Sequence, residues 1–267
     1  MEIDMIVQAD ALDMLRGLPD ASVDMILADL PYGTTACAWD TIIPFAPMWA
    51  VFKRVIKPRG AIVLTASQPF TSALVMSNPA MFRYEWIWDK VRQTGFLDAM
   101  RKPLKQHESV LIFSRLASRY FPIMQPGEPY AAKRRGQAGV YGTHTRMSSV
   151  NDGQRFPTSL IRLSISEHER GAHQTAKPVT LFEYLIRTYT QPGDLVVDPV
   201  VGSGTTAVAA RNTGRHWICG DQSAEYVAIA NERLFAPWQP PLIADAPAPV
   251  VEAEQLALFG GDHEAES

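Results

Sequence analysis

Short apolar runs alternate along this chain with segments of helical spacing, and that alternation narrows the fold more than any other feature. Strands are expected at residues 23–28, 61–65, 84–88, 109–113, 195–198 and 217–219. Helical spacing covers 44–56, 68–76, 181–189, 205–212 and 224–234, with Pro58 and Gly60 closing the first of these. The order predicts an α/β fold around a largely parallel sheet, and 267 residues suffice for one large domain. No apolar run approaches the roughly 18 residues of a membrane span, and Glu2 and Asp4 stand where a signal peptide needs positive charge. The two cysteines, Cys37 and Cys219, have neither metal nor disulfide spacing, and the histidines form no ligand cluster. A soluble, cytoplasmic protein without a bound metal is expected.

The net charge of −3 hides an asymmetry. Residues 101–170 hold twelve Lys/Arg against five Asp/Glu, so the rest of the chain carries −10. Within that stretch, Lys133-Arg134-Arg135 opens a Gly/Ser/Thr-rich segment of little hydrophobic periodicity, expected to form long loops. The last 32 residues hold six acids, no base and five prolines, the pattern of a disordered acidic tail from 236 to 267.

Two loops carry candidate chemistry. The first is Asp198-Pro199-Val200-Val201-Gly202-Ser203-Gly204-Thr205-Thr206, between a strand and a helix. Its glycines allow a tight turn against a ligand, and the helix start offers free N–H groups. Asp221 and Gln222 end the next strand, with Asp221 placed to accept from ribose hydroxyls. A dinucleotide site would use the same logic, leaving a nicotinamide-dependent oxidoreductase as an alternative. However, the third packing glycine is missing, and an acid at 198 would repel a pyrophosphate while suiting an ammonium group. S-adenosylmethionine carries both that ammonium and a ribose.

The second loop, Asp29-Leu30-Pro31-Tyr32-Gly33, follows the first strongly apolar strand. A plain turn would use the same residue types. The pattern also suits methylation of an exocyclic amine, whose lone pair is delocalised into its ring. The Asp29 carboxylate and a backbone carbonyl of Leu30 or Pro31 would draw that nitrogen towards sp³ geometry, and Tyr32 offers a face on which an extruded base can stack. The catalysis needed is positioning plus stabilisation of developing positive charge.

Taken in order, these motifs resemble the β-class amino DNA methyltransferases. That family places an Asp/Asn/Ser-Pro-Pro-Tyr-type catalytic loop before, and an Asp-Pro-Phe-x-Gly-Ser-Gly-Thr-type cofactor loop after, a target-recognition region. The resemblance covers about residues 6–234 and implies a Rossmann-like S-adenosylmethionine-dependent fold in circularly permuted order, catalytic half first. It implies a methyltransferase domain over 1–235 with a recognition insertion at about 115–165. It also places Asp10 and Ala11 near the adenosyl group, and sets His173, Thr175, Lys177 and Pro178, similar to a His-Pro-Thr-Gln-Lys-Pro signature, at the methionine pocket. Residues 86–90, His107-Glu108 and 156–159 match further recurring positions. Leu30 departs from the family by replacing its first proline, and Val200 by replacing the usual Phe.

The reaction so implied is methyl transfer to N6 of an adenine flipped from duplex DNA, with cytosine N4 as the alternative. The basic segment then supplies phosphate contacts from Lys133, Arg134, Arg135 and Arg146, and the family implies a homodimer. Trp39, Trp49, Trp86, Trp88 and Phe113 are expected in the core. In the tail, Gln255-Leu-Ala-Leu-Phe259 looks like the peptides by which bacterial DNA-processing proteins dock on the replication sliding clamp.

Overall fold

A computed structural model of the chain describes residues 2–33, 40–134, 138–139, 142–143, 147–163 and 177–235. The eight strands of its main sheet are β1 (Met5–Gln8), β2 (Val23–Ala28), β3 (Ile56–Ala66), β4 (Phe82–Thr94), β5 (Lys105–Phe113), β12 (Leu160–Arg162), β13 (Leu195–Asp198) and β14 (His216–Asp221). They lie in the order β1-β14-β13-β2-β3-β5-β4-β12. Pairing is parallel from β1 to β3 and between β4 and β12, whereas β5 runs antiparallel to both its neighbours.

Alternating side chains of the strands feed two cores on opposite faces. Ile26 and Ala28 pack with Leu15, Phe52 and Leu74 of α1 (Ala11–Arg16), α2 (Phe45–Val55) and α3 (Phe70–Ser77). Met25 and Leu27 pack with Leu185 and Ala209 of α4 (Val179–Tyr189) and α5 (Thr205–Asn212). Covered on both faces, β2 is buried at every position, which is why its sequence is nearly continuous apolar. Its one acid, Asp24, accepts from Lys57 Nζ (2.7 Å), Arg119 Nη2 (2.8 Å) and the Leu195 amide (3.0 Å). Trp49, Trp86, Trp88 and Phe113 are buried as expected; Trp39 lies outside the described residues.

The sequence reading differs from this fold in four places. The short β1–α1 unit was not among the expected elements; α1 is only six residues long and owes its start to the Asp10 cap. Strand β3 begins at Ile56 and runs through Pro58 and Gly60, where the sequence predicts a stop, because that segment pairs along β2 with a register shift between Val23 and Met25. Strands β4 and β5 extend well beyond their apolar centres. The basic segment holds antiparallel ladders instead of loops alone: β7 (Tyr130–Arg134) with β10 (Met147–Asn151), and two-residue pairs β6 (Gln125–Pro126) with β11 (Gln154–Arg155) and β8 (Ala138–Gly139) with β9 (Gly142–Thr143). The sequences of these short strands lack the one-sided apolar alternation by which strands are recognised. Within 115–165, Arg119, Phe121 and β12 attach to the main body.

The chain leaves β2 towards β3 on one side and leaves β13 towards β14 on the other. Between β2 and β13 the winding reverses, and a crevice opens at the carboxyl ends of these two strands. Asp29 and Asp198 stand there at neighbouring strand ends. Among the described residues, no helix is long and apolar enough to cross a membrane.

Candidate active site

One cavity of about 980 Å³ occupies that crevice. Asp10, Ala11, Asp221, Gln222 and Tyr226 line one end, and Asp198 to Ser203 the middle. Asp29 to Tyr32 and Lys90 to Thr94, apart from Val91, line the other end.

At the first end the carboxylates organise backbone. Asp10 Oδ1 accepts from the amides of Leu12 (2.9 Å) and Asp13 (3.1 Å), capping α1. Asp221 accepts from Gly202 N (3.0 Å) and Ser223 N (2.9 Å), so it pins the glycine loop and the start of α6 (Ala224–Phe235). A carboxylate has about four acceptor sites, so both acids keep capacity for a ligand. Gly204 has φ +88° and does not line the cavity; a Cβ there would meet Ala230 at 2.8 Å. It allows α6 to pack closely on the loop. Pro178 caps α4 and is likewise outside the cavity wall.

Asp198 is buried, accepts from the Val200 amide at 3.0 Å and is hydrogen-bonded to the Thr206 hydroxyl. Burial, only partly offset by those two donors, pushes its carboxyl pKa up to about 7. A bound cation would return it to the ionised form.

At the far end Asp29 Oδ1 accepts from the Tyr32 hydroxyl (2.6 Å) and the Thr65 hydroxyl, and Oδ2 accepts from Lys177 Nζ (2.8 Å). Lys177 also faces Glu108 Oε2 at 3.2 Å, an ion pair without hydrogen-bond alignment, and Lys90 Nζ donates to Glu108 Oε1 at 3.1 Å. The result is a four-membered chain of alternating charge, Asp29–Lys177–Glu108–Lys90, whose last three members are largely buried. Burial pulls the Lys177 pKa down, but Asp29, then Tyr32 and Glu108, outweigh it and hold the ammonium charged well above the ordinary lysine range. Burial pushes Glu108 up, but Lys177 and then Lys90 outweigh it and leave the carboxyl below its ordinary value. Burial and the Asp29 charge keep the Tyr32 phenol protonated.

The loop itself is held from three sides. Leu30 is buried in the core, the Tyr32 ring stacks on Phe70 with centroids 5.2 Å apart, and Gly33 N donates to Asp40 Oδ1 at 2.8 Å. Gly33 has φ +67° and a Cβ there would strike Ile42, so no other residue closes this turn without strain. The family resemblance set Lys177 with the cofactor residues. Lys177 lines the shared cavity: its ammonium reaches Asp29, and its backbone carbonyl accepts from Thr205 Oγ1 of the 198–206 loop at 3.4 Å.

The structure therefore gathers Asp10, Ala11, Asp29–Tyr32, Lys177, Asp198–Ser203, Thr205, Thr206, Asp221 and Gln222 around one space. His173, Thr175, Arg135, Arg146 and the tail with residues 255–259 lie outside the described residues; Lys133 and Arg134 lie on β7. Thr65, Phe70 and Asp40 were missed, because only the fold brings them to Asp29, Tyr32 and Gly33 respectively and nothing local marks them. Lys90 and Glu108 had been noted as recurring positions, without a role.

The sequence profile of the N6/N4 DNA methylase family matches residues 23–232. The type II methyltransferase M1.MboII of Moraxella bovis is 29% identical over 255 residues, covering 86% of this chain and 96% of that one. The type II methyltransferase M2.DpnII of Streptococcus pneumoniae is 28% identical, with 86% and 89% covered. Among solved structures, the M1.HpyAVI–SAM complex superposes with a TM-score of 0.58 at 22% identity, covering 86% of this chain and 98% of that one. The cytosine-N4-specific PvuII DNA methyltransferase gives 0.62 at 18% identity, covering 90% and 88%.

Proposed function

The chain belongs to the N6/N4 DNA methylase family, and from that premise we propose that it methylates N6 of adenine in duplex DNA with S-adenosylmethionine as donor. The observation that carries methyl transfer to an exocyclic amine is the continuity of one cavity from the Asp198–Ser203 loop to Asp29–Tyr32 across the switch point. The choice of adenine N6 over cytosine N4 rests on the family resemblance of a loop led by Asp29 rather than by Ser. Family membership sets aside the nicotinamide alternative.

The residues present fit the donor. The 980 Å³ space is ample for it, and the middle and first end offer three carboxylates with acceptor capacity. Asp198 faces its ammonium, and Asp221, with Asp10, Ala11 and Gln222 around it, faces the ribose and adenosyl end. The donor supplies a methyl group on a sulfonium sulfur. In the transfer an N–CH3 bond would form as the S–CH3 bond breaks with its electron pair going to sulfur, and the methylated amine would release one proton to solvent water.

Asp29 prepares the amine. Three donors already bind it, which leaves acceptor capacity on Oδ2 for an N–H of the base. That bond, with a carbonyl of Leu30 or Pro31, directs the nitrogen lone pair along the line of attack and stabilises the positive charge that grows on nitrogen. The Tyr32 and Thr65 hydroxyls fix the carboxylate before the base arrives. Tyr32, itself backed by Phe70, receives the ring.

Incubation with unmethylated bacterial DNA and S-adenosylmethionine, followed by nucleoside mass spectrometry, tests the reading. N6-methyladenine is the expected product, N4-methylcytosine replaces the target base while keeping the site, and no methylated base refutes the assignment. Asp29→Ala should retain donor binding and lose transfer.

The same reading extends to partners. Lys133, Arg134, Arg135 and Arg146 contact phosphates, so DNA affinity falls steeply with added salt. The recognition insertion lies at about 115–165 of a 1–235 methyltransferase domain, which acts as a homodimer in the cytoplasm; sedimentation velocity measures the dimer. Residues 255–259, within an acidic tail, tether it to the sliding clamp. Equal clamp recovery by the intact chain and a chain ending at Pro249 would remove that last assignment.

A further inference from the structure

Strand β4 runs in the same direction as β2 and β3, so its carboxyl end rises from the edge of the sheet that holds Asp29 and Asp198. It overruns that edge. After an irregularity between Asp89 and Thr94 the ladder with β5 resumes at Thr94–Lys105, and residues 95–104 form the hairpin tip. Arg92, Gln93 and Thr94, just below the tip, line the same cavity as Asp29 and Tyr32.

The tip is a built structure. Asp98 N donates to Gly95 O (3.1 Å) and Ala99 N to Phe96 O (3.1 Å). The Asp98 carbonyl accepts from Arg101 N (2.8 Å) and Lys102 N (3.0 Å), and Lys102 pairs with the Asp98 carboxylate at 2.9 Å. Yet this ordered turn holds its apolar side chains outward: Phe96, Leu97 and Met100 are 71%, 103% and 99% exposed. Three large apolar side chains together on one exposed turn mark an interaction surface. Its surroundings are cationic, with Arg92, Arg101, Lys102 and Lys105 against Asp98 over residues 91–105.

We infer that this hairpin tip is a wedge for duplex DNA, entering the base stack beside the target nucleotide while Arg92 and Arg101 meet the flanking phosphates. The inference rests on the reading of the site as one that works on an extruded base. A flipped base leaves a gap in the stack and unpaired neighbours, and apolar side chains inserted there offset the lost stacking. A cationic rim suits a polyanion and no apolar protein partner, and the position at the cavity mouth is where the vacated duplex must lie.

The test is Phe96→Ser/Leu97→Ser/Met100→Ser in the full chain, with unmethylated bacterial DNA, tritiated S-adenosylmethionine and a fluorescein-labelled 40-base-pair duplex. Because the three side chains are exposed, melting temperature and donor affinity should match the intact protein, whereas methyl incorporation into duplex DNA should fall about tenfold. Unchanged incorporation overturns the inference. So does a loss of donor binding or of melting temperature, which would make the turn part of the fold or pocket. If the intact protein methylates no DNA, the parent reading has failed, and duplex binding by anisotropy decides the wedge: at least about fivefold weaker binding supports it and equal binding overturns it. Conversion of a dimer to a monomer with DNA binding intact would assign the turn to a subunit contact and also overturn it.

Discussion

Replacing Glu108 by Gln removes one charge from a chain of four whose other end, Asp29, is partly exposed, and the structure sets the size of the effect. Lys90 and Lys177 approach Glu108 at 3.1 and 3.2 Å, and the three side chains are 13%, 11% and 14% exposed for Lys90, Lys177 and Glu108. At an effective dielectric near 20, each contact is worth about 5 kcal/mol before desolvation is counted. Desolvation cancels most of that, but it is already spent in the variant, where two ammonium groups stay buried and, within this chain of four, Asp29 is the anion left to them. Breaking a buried pair in this way costs about 3–5 kcal/mol, and the retained amide oxygen places Glu108→Gln near 3. For a chain of this size that lowers the melting temperature by roughly 6–12 °C. The net charge of the cluster explains a second expectation: Glu108→Gln leaves it at +1, and adding Lys90→Met restores neutrality. The double variant should therefore be more stable than Glu108→Gln alone, which urea melts in a double-mutant cycle measure directly. The lysines hold the Glu108 pKa below its ordinary value against the opposing push of burial, so this contribution is complete above about pH 4.3. It is lost as pH falls through the lower folded value, and the gap between the native protein and Glu108→Gln closes there. A variant within 0.5 kcal/mol of the native protein at pH 7, or a double variant no more stable than the single, would refute the reasoning.

Three further outcomes follow from the site. Thr65→Val removes one of the two hydroxyls on Asp29 Oδ1; kcat for methyl transfer should fall about tenfold with donor affinity unchanged, since a hydrogen bond to a charged group is worth roughly 1.5–3 kcal/mol. Gly204→Ala places a Cβ 2.8 Å from that of Ala230 at φ +88°, so it should cost roughly 1–3 kcal/mol and weaken donor binding, read by thermal melts with and without the donor. Asp198, with its pKa raised to about 7, binds a proton in the folded state that the unfolded chain has already lost, so stability of the free protein declines from about pH 4 to 7. Asp198→Asn should abolish that decline, and calorimetry across pH 6–8 should show donor affinity rising with pH in the native protein only.

How much of this was legible beforehand depended on range. Residues 23–28, 44–56 and 195–212 announce themselves because a buried strand is apolar throughout and a packed helix repeats every 3.6 residues, both local consequences of burial. Asp29–Tyr32 and Asp198–Thr206 were legible for a related reason: tight turns at strand ends demand particular residue types at fixed spacing. The short ladders β6–β11 and β7–β10 were not, because their sequences carry no apolar alternation to read, and the exposed hairpin tip at Phe96, Leu97 and Met100 looked like ordinary sequence.

Only the tertiary structure decided who stands beside Asp29. Thr65 comes from β3, Glu108 from β5, Lys90 from β4 and Lys177 from the entrance to α4, and a buried ion pair forms wherever the sheet order sets opposite charges within a few ångströms. Sequence by itself determined the elements and the two loops, since local periodicity and turn chemistry need no distant partner. The pairing of β2 with β13, which joins those loops into one cavity, depends on strand order, and strand order is a property of the whole packed chain.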